Sequence, residues 1–165
     1  MTRRVIASGL FVFAASALVL SSAPTWAADS RFSQSITDLP LSSLRQDQYS
    51  DAIDAYAAKG QYQKALDVAD LGLRKNPKSA QLKFQRCVVL EKMGDTAQAK
   101  AELERFIRLY PEIPEGYNNL AALLSREGEL DAAETYLKRA LAFRPKFRQA
   151  HVNLGNLYLA RAKAA

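Results

Sequence analysis

Small and apolar residues recur along the chain with a period of 34 residues. A turn glycine, an alanine five residues later and a closing proline each occur three times at this spacing. These residues are Gly60, Gly94 and Gly128; Ala65, Ala99 and Ala133; and Pro77, Pro111 and Pro145. A repeat of this length indicates two helices, A and B, per unit, with each unit burying its apolar face against its neighbours. The pattern therefore predicts an all-α solenoid.

The period divides the chain into units 46–79, 80–113 and 114–147 and a half unit 148–165. The third unit has the most regular apolar and small positions. They are Tyr117, Leu120, Ala121, Leu124, Gly128, Leu130, Ala133, Leu137, Ala140 and Pro145. The half unit repeats the opening of that pattern with His151, Leu154, Gly155 and Tyr158.

This arrangement resembles the tetratricopeptide repeat, from residue 46 to about residue 160. The resemblance implies a right-handed α-solenoid that binds its partners on a stacked surface. In such a unit a residue like Gly128 ends helix A at a positive φ, and a proline stops helix B. Small residues such as Ala121 and Ala133 let the two helices approach closely.

The first two units depart from the pattern. The second has Lys83, Arg86 and Cys87 at positions expected to be aromatic, Leu and small, so we expect Phe84 to supply the aromatic anchor one residue later. The first has Gly72 in place of the late alanine. Both units should pack less regularly than the third.

The N-terminus has the features of a cleavable export signal. Arg3 and Arg4 precede an apolar stretch, residues 5–20, and small residues that permit cleavage after Ala27. This predicts a periplasmic or secreted protein, with an uncleaved membrane anchor as the alternative. Residues 28–45 are rich in Ser and contain Pro40, which predicts a flexible tether, with the first A helix starting near Ser42 or Ser43.

The formal charge of +6 would fall to +4 without Arg3 and Arg4, which is too low to indicate nucleic-acid binding. Charge is distributed unevenly, with an acidic front and a basic end. The acidic residues are Asp47, Asp51, Asp54, Asp67 and Asp70. The basic residues are Arg144, Lys146, Arg148, Arg161 and Lys163.

No catalytic or metal-binding motif is recognisable, so we expect neither enzymatic activity nor a cofactor. The chain has one histidine and one cysteine. His151 occupies the position of Tyr117 one unit earlier, which predicts packing between helices. Cys87 is expected to be a small buried residue.

The resemblance implies that the A helices line a concave groove. The side chains expected to contact a peptide there are Phe84, Gln85, Asn118, Asn119, Arg126, Asn153 and Asn156. Gln85, Asn119 and Asn153 recur at one position; such amides can bond the backbone of an extended peptide, or they face water. Relatives that clamp a terminal carboxylate use Lys and Asn where this chain has Ser50 and Asp54. A basic or neutral peptide is therefore favoured.

The last helix has apolar residues on more than one side and no B helix after it. We therefore expect a docking surface at Leu157 and Tyr158, either for a second copy or for a partner. The predicted function is a protein-binding scaffold or adaptor in a bacterial envelope. Two alternatives remain: a binder of an anionic envelope component through the basic end, or an accessory subunit of an envelope enzyme or assembly complex.

Overall fold

The computed structural model describes residues 36–37 and 39–164 of the chain. Within this part there are two 3₁₀ turns, Leu41–Ser43 and Gln46–Gln48, followed by seven α-helices and no strand. The helices are α1 Tyr49–Ala58, α2 Tyr62–Lys75, α3 Ala80–Met93, α4 Thr96–Leu109, α5 Pro114–Arg126, α6 Leu130–Phe143 and α7 Arg148–Ala164. The prediction of an all-α solenoid of helical repeats is confirmed.

Consecutive helices pack against each other, so that α1, α3, α5 and α7 are the A helices and α2, α4 and α6 the B helices. A helices of neighbouring repeats also meet, α1 against α3 and α5 against α7. The most extensive contact is between α5 and α6. The third repeat is thus the most tightly packed, as its regular sequence predicts.

The turn residues act as expected. Gly60, Gly94 and Gly128 have φ angles of 70°, 90° and 85°, in the left-handed region that a side chain would disfavour. Each B helix ends two residues before its proline. Two helices also begin at side-chain caps, because Ser79 Oγ accepts the backbone N–H of Leu82 and Asp95 Oδ1 accepts that of Gln98.

Alanines allow the close approach of A and B helices. Ala65, Ala99, Ala121 and Ala133 are all fully buried. Phe84 packs on Phe106 with ring centroids 5.4 Å apart, so the aromatic anchor of the second repeat is displaced by one residue, as predicted.

The segment before α1 belongs to the folded unit. Ile36 and Leu44 are buried in the core, and the Tyr56 hydroxyl donates a hydrogen bond to the backbone oxygen of Thr37 over 3.0 Å. The tether prediction is therefore wrong for residues 36–37 and 39–45. Its remainder, residues 28–35, and the proposed signal, residues 1–27, lie outside the described residues.

The first A helix begins later than predicted. Ser43 lies in a 3₁₀ turn, where its hydroxyl donates to the backbone oxygen of Pro40, and α1 starts at Tyr49. A second turn follows, in which the backbone N–H of Arg45 donates to Gln48 Oε1. The two short turns flank Leu44, which is buried in the core. The prediction of a continuous helix from Ser42 or Ser43 does not include these turns.

Candidate peptide-binding face

Two depressions lie on the face formed by the A helices. The first depression, about 390 Å³, lies between α1 and α3. It is lined by Asp54, Ala57, Ala58, Phe84, Gln85, Val88, Val89 and Lys92. The second depression, about 210 Å³, lies mainly between α5 and α7. It is lined by Ala121, Ala122, Ser125, Arg126, Leu137, Asn153 and Asn156.

The structure thus divides the predicted groove residues into separate groups. Phe84 and Gln85 line the first depression, and Arg126, Asn153 and Asn156 line the second. Asn118 and Asn119 line neither. Sequence reasoning missed Ala57, Ala58 and Val89, because their place in the depression depends on how α1 and α3 pack.

The first depression has an apolar floor and charged edges. Phe84 and Val88 are half-buried and contribute apolar surface to the lining. Asp54 and Lys92 are exposed, with opposite charges. A site of this composition suits an apolar side chain flanked by polar groups.

Gln85 joins α3 to α1 through one end of its amide. Its Nε2 donates to Ser50 Oγ over 2.9 Å and to Asp54 Oδ1 over 3.0 Å. Its Oε1 is buried and has no hydrogen-bond partner among the described residues. Because this oxygen is buried, a ligand in the depression has no direct access to it, and Gln85 acts mainly as a link between the two helices.

The amides near the second depression bond to one another. Asn153 Nδ2 donates to Asn118 Oδ1 over 2.9 Å, and Asn118 Nδ2 donates to Asn119 Oδ1 over 3.2 Å. Gln149 Nε2 donates in turn to Asn153 Oδ1. Asn118 is only 4% exposed, so its placement as a peptide contact is wrong. The network connects α7 to α5. The sequence is interpreted above to place these amides against a peptide or in water, and neither interpretation includes this role.

Arg126 also connects repeats. Its guanidinium lies 2.6 Å from Glu91 Oε1 and so links α5 to α3. Its side chain is largely exposed, and it lines the second depression as well. Arg126 is therefore already paired, although it remains accessible to a bound chain.

Acidic side chains are concentrated near the first A helix. Asp47, Ser50 and Asp51 border a further depression of about 300 Å³ between α1 and the start of α3. Partial burial raises the pKa of Asp51, and the charges of Asp54 and Asp47 raise it further. Asp47 is paired with Arg45 over 3.3 Å, so the negative charge that this end offers to a ligand comes mainly from Asp51 and Asp54.

The basic end carries less free charge than its sequence indicates. Arg144 pairs with Glu115, and Arg161 pairs with both Asp131 and Glu134. The remaining cations are Lys146, Arg148 and Lys163, which are exposed and form no ion pair within the described part of the chain.

The prediction for His151 is wrong, whereas the prediction for Cys87 is confirmed. His151 is exposed, with its Nε2 2.8 Å from the carbonyl oxygen of Pro145, so the prediction that it packs between helices is wrong. No described helix covers the face of α7 on which it lies. Cys87 is buried as predicted, and burial raises the pKa of its thiol to about 12.

The two residues of the predicted docking surface differ in their exposure. Leu157 is fully buried, so it cannot form part of a docking surface. Tyr158 is 45% exposed, and its hydroxyl donates to Glu134 Oε1 over 2.9 Å.

Among the described residues, no helix has the length and apolar composition needed to span a bilayer. The same residues contain no group of three or more His, Cys, Asp or Glu side chains that could hold a metal ion.

A family model described as tetratricopeptide repeat matches residues 88–147. A thermophilic TPR protein of Thermus thermophilus, TTC0263, is similar at 27% identity and a TM-score of 0.65, over 78% of this chain and 71% of that one. The first TPR of Spaghetti (RPAP3), bound to the HSP90 peptide SRMEEVD, is 20% identical with a TM-score of 0.63, over 71% and 93% of the two chains.

The Yersinia enterocolitica type III secretion chaperone SycD, in complex with a peptide of the translocator YopD, is similar at 18% identity. Its TM-score is 0.61, with coverage of 70% of this chain and 93% of that one. The described helices therefore form an α-solenoid of helical repeats in which residues 88–147 match the tetratricopeptide-repeat model, and the resemblance seen in the sequence is confirmed.

Proposed function

We propose that this chain is a non-enzymatic scaffold or adaptor of a bacterial cell envelope that holds an extended peptide or protein segment on its A-helix face. The observation that carries the proposal is the first depression, where the apolar surface of Phe84 and Val88 lies between the exposed charges of Asp54 and Lys92. Two similar folds, those of RPAP3 and SycD, occur in complexes with peptides. They support binding as the mode of action.

The lining indicates the chemistry of the peptide. An apolar side chain would occupy the floor at Phe84 and Val88, between the charged edges at Asp54 and Lys92. Asp54 and the neighbouring carboxylate Asp51 disfavour an acidic ligand. The HSP90 peptide in the RPAP3 complex contains Glu-Glu-Val-Asp, so we propose a different ligand, basic or neutral and extended.

Labelled peptides test this proposal. We would compare two extended peptides with the same central leucine, one flanked by arginines and one by glutamates, by fluorescence anisotropy with the full chain. Ala58→Lys, at an exposed position in the depression, should weaken binding of the arginine peptide about tenfold or more, because the lysine both fills the depression and repels the arginines. Ala142→Lys, at an exposed position on α6, is the matched control.

The proposal requires that the arginine peptide bind more tightly than the glutamate peptide and that only Ala58→Lys weaken its binding. Equal binding of both peptides, or equal effects of the two substitutions, would refute it. Denaturation curves of both variants establish that the fold is retained.

Export to the envelope is part of the same proposal and rests on residues 1–27. The only tryptophan of the chain, Trp26, lies before the proposed cleavage site after Ala27. Protein recovered from the periplasm should therefore show no tryptophan fluorescence. Tryptophan emission from protein held in the membrane fraction would indicate an uncleaved anchor instead.

Binding of an anionic envelope component through the basic end has weaker support. Arg144 and Arg161 are already paired with carboxylates, which leaves three cations there without an ion pair in the described part of the chain. Binding of a polyanion that weakens steeply with rising salt would favour that alternative, because the proposed peptide site disfavours anionic ligands.

A further inference from the structure

The outward face of α7 is an apolar stripe without a covering helix among the described residues. Its members lie on one side of the helix at spacings of three and four residues. They are His151, Val152, Gly155, Tyr158, Leu159 and Ala162, and all are exposed. Val152 is 48% exposed and Leu159 63%, which is high for apolar residues of their size.

The preceding repeat shows what covers the corresponding positions. In α5, Tyr117 and Ala121 are buried, and α6 lies over them. The Tyr117 ring stacks on Phe143 of α6 at a centroid distance of 5.7 Å. One period later the same positions hold His151 and Gly155. At His151, Gly155 and Tyr158 the face that is covered in the third repeat is thus open in the fourth. Val152 and Leu159, at the edge of the stripe, correspond to Asn118 and Ser125, which lie toward α7 in the third repeat.

Gly155 marks the point at which a helix could approach most closely. A Cβ atom added there would have no neighbour within 4 Å, whereas Ala121 at the corresponding position is in contact with the core. A small residue in the middle of an exposed apolar stripe permits short interhelical distances. The stripe therefore has the composition of half of an A–B helix pair.

Charge at the edges of the stripe narrows the choice of partner. Arg148 lies near its beginning and Lys163 near its end, both exposed and without an ion pair in the described part of the chain. Residues 144–165 contain no acidic side chain. A second copy would bring the same cations against each other, which is unfavourable, whereas carboxylates would be attracted.

We propose that the outward face of α7 binds an amphipathic helix with acidic flanks from another protein, in the position that α6 has over α5. This surface is distinct from the two depressions and does not depend on the proposed peptide site. Binding would extend the solenoid by one helix and cover the stripe from His151 to Ala162.

Two synthetic peptides with the α6 sequence test the proposal, because that sequence covers the corresponding face in the third repeat. The acidic peptide carries Lys138→Glu and Arg139→Glu, and the basic peptide carries Asp131→Lys and Glu134→Lys. Both retain the apolar positions of α6. Binding to the full chain is measured by isothermal titration calorimetry at low salt, and the oligomeric state by sedimentation equilibrium.

The variant is Gly155→Leu, with Ala160→Leu on another side of α7 as the matched control. Gly155→Leu should fold normally because the space around the glycine is open and leucine favours helix. We expect a monomer that binds the acidic peptide about tenfold or more tightly than the basic one. Gly155→Leu should weaken binding of the acidic peptide by a similar factor, and Ala160→Leu should leave it unchanged.

Three results would overturn the proposal. The first is failure of the acidic peptide to bind. The second is equal binding by wild type and Gly155→Leu, with circular dichroism establishing that both are folded. The third is a dimer that Gly155→Leu dissociates, which would assign the stripe to a second copy of this chain.

Discussion

The junction between the second and third repeats is packed so closely that a single methyl group should be destabilising. A Cβ added at Gly116 would lie 2.8 Å from Phe106 Cδ1 and 2.9 Å from Ile107 Cγ2. Carbon atoms prefer separations of about 3.5–4.0 Å. Such overpacking costs about 1–3 kcal/mol, and the better helix propensity of alanine offsets at most about 1 kcal/mol. Gly116→Ala should therefore lower the free energy of unfolding by about 1 kcal/mol.

Two of the three shortest approaches to the added Cβ come from the Phe106 ring, at 2.8 and 3.1 Å, and the third comes from Ile107 Cγ2. In a Phe106→Leu background, Gly116→Ala should therefore be less destabilising, with a coupling energy of about 1 kcal/mol. Urea denaturation followed by far-ultraviolet circular dichroism measures all four proteins of this double-mutant cycle. Effects that add to within about 0.5 kcal/mol would refute the proposed contact as the cause.

Tyr49→Phe should leave stability unchanged or raise it by up to about 1 kcal/mol in urea denaturation, since the buried Tyr49 hydroxyl has no partner among the described residues. Lys138, Tyr158 and Arg161 hold the pKa of Glu134 at about 2, below its ordinary 4.5. Its contribution is thus present above pH 4.5 and lost as pH falls towards 2, and Glu134→Gln should reduce that loss in acid titrations of the melting temperature. Cys87 should react with iodoacetamide only on unfolding; rapid labelling at neutral pH would contradict its burial.

The repeat junctions explain why the sequence pattern alone is an incomplete guide to packing. Corresponding positions in three successive junctions hold Gly72 with Leu82, Phe106 with Gly116, and Ala140 with Ala150. An added Cβ at Gly72 would lie 2.9 Å from Leu82 Cδ1, so the first two junctions each match one large and one small residue. The sequence shows that these positions depart from the repeat pattern. Only the contacts show that a large residue on one helix is matched by a glycine on the next.

The candidate binding face was predicted in part. The A helices and the residues Phe84, Gln85 and Arg126 follow from the period, because each position in a repeat has a fixed place in its helix. Hydrogen bonds between repeats could not be inferred. Asn118 and Asn153 are 35 residues apart, as are Ser50 and Gln85, and each pair meets because neighbouring A helices stack at hydrogen-bond distance.

The sequence by itself determined the order of the helices and the glycine turns and proline stops between them. These features are local: glycine permits positive φ, proline lacks the N–H that a helix needs, and both effects act within a few residues. The tertiary structure decided which side of α7 is buried. Leu157 and Leu159 are equally apolar, yet packing buries the first and leaves the second 63% exposed. Burial depends on the rotation of α7 relative to α5 and α6, a property of the assembled solenoid.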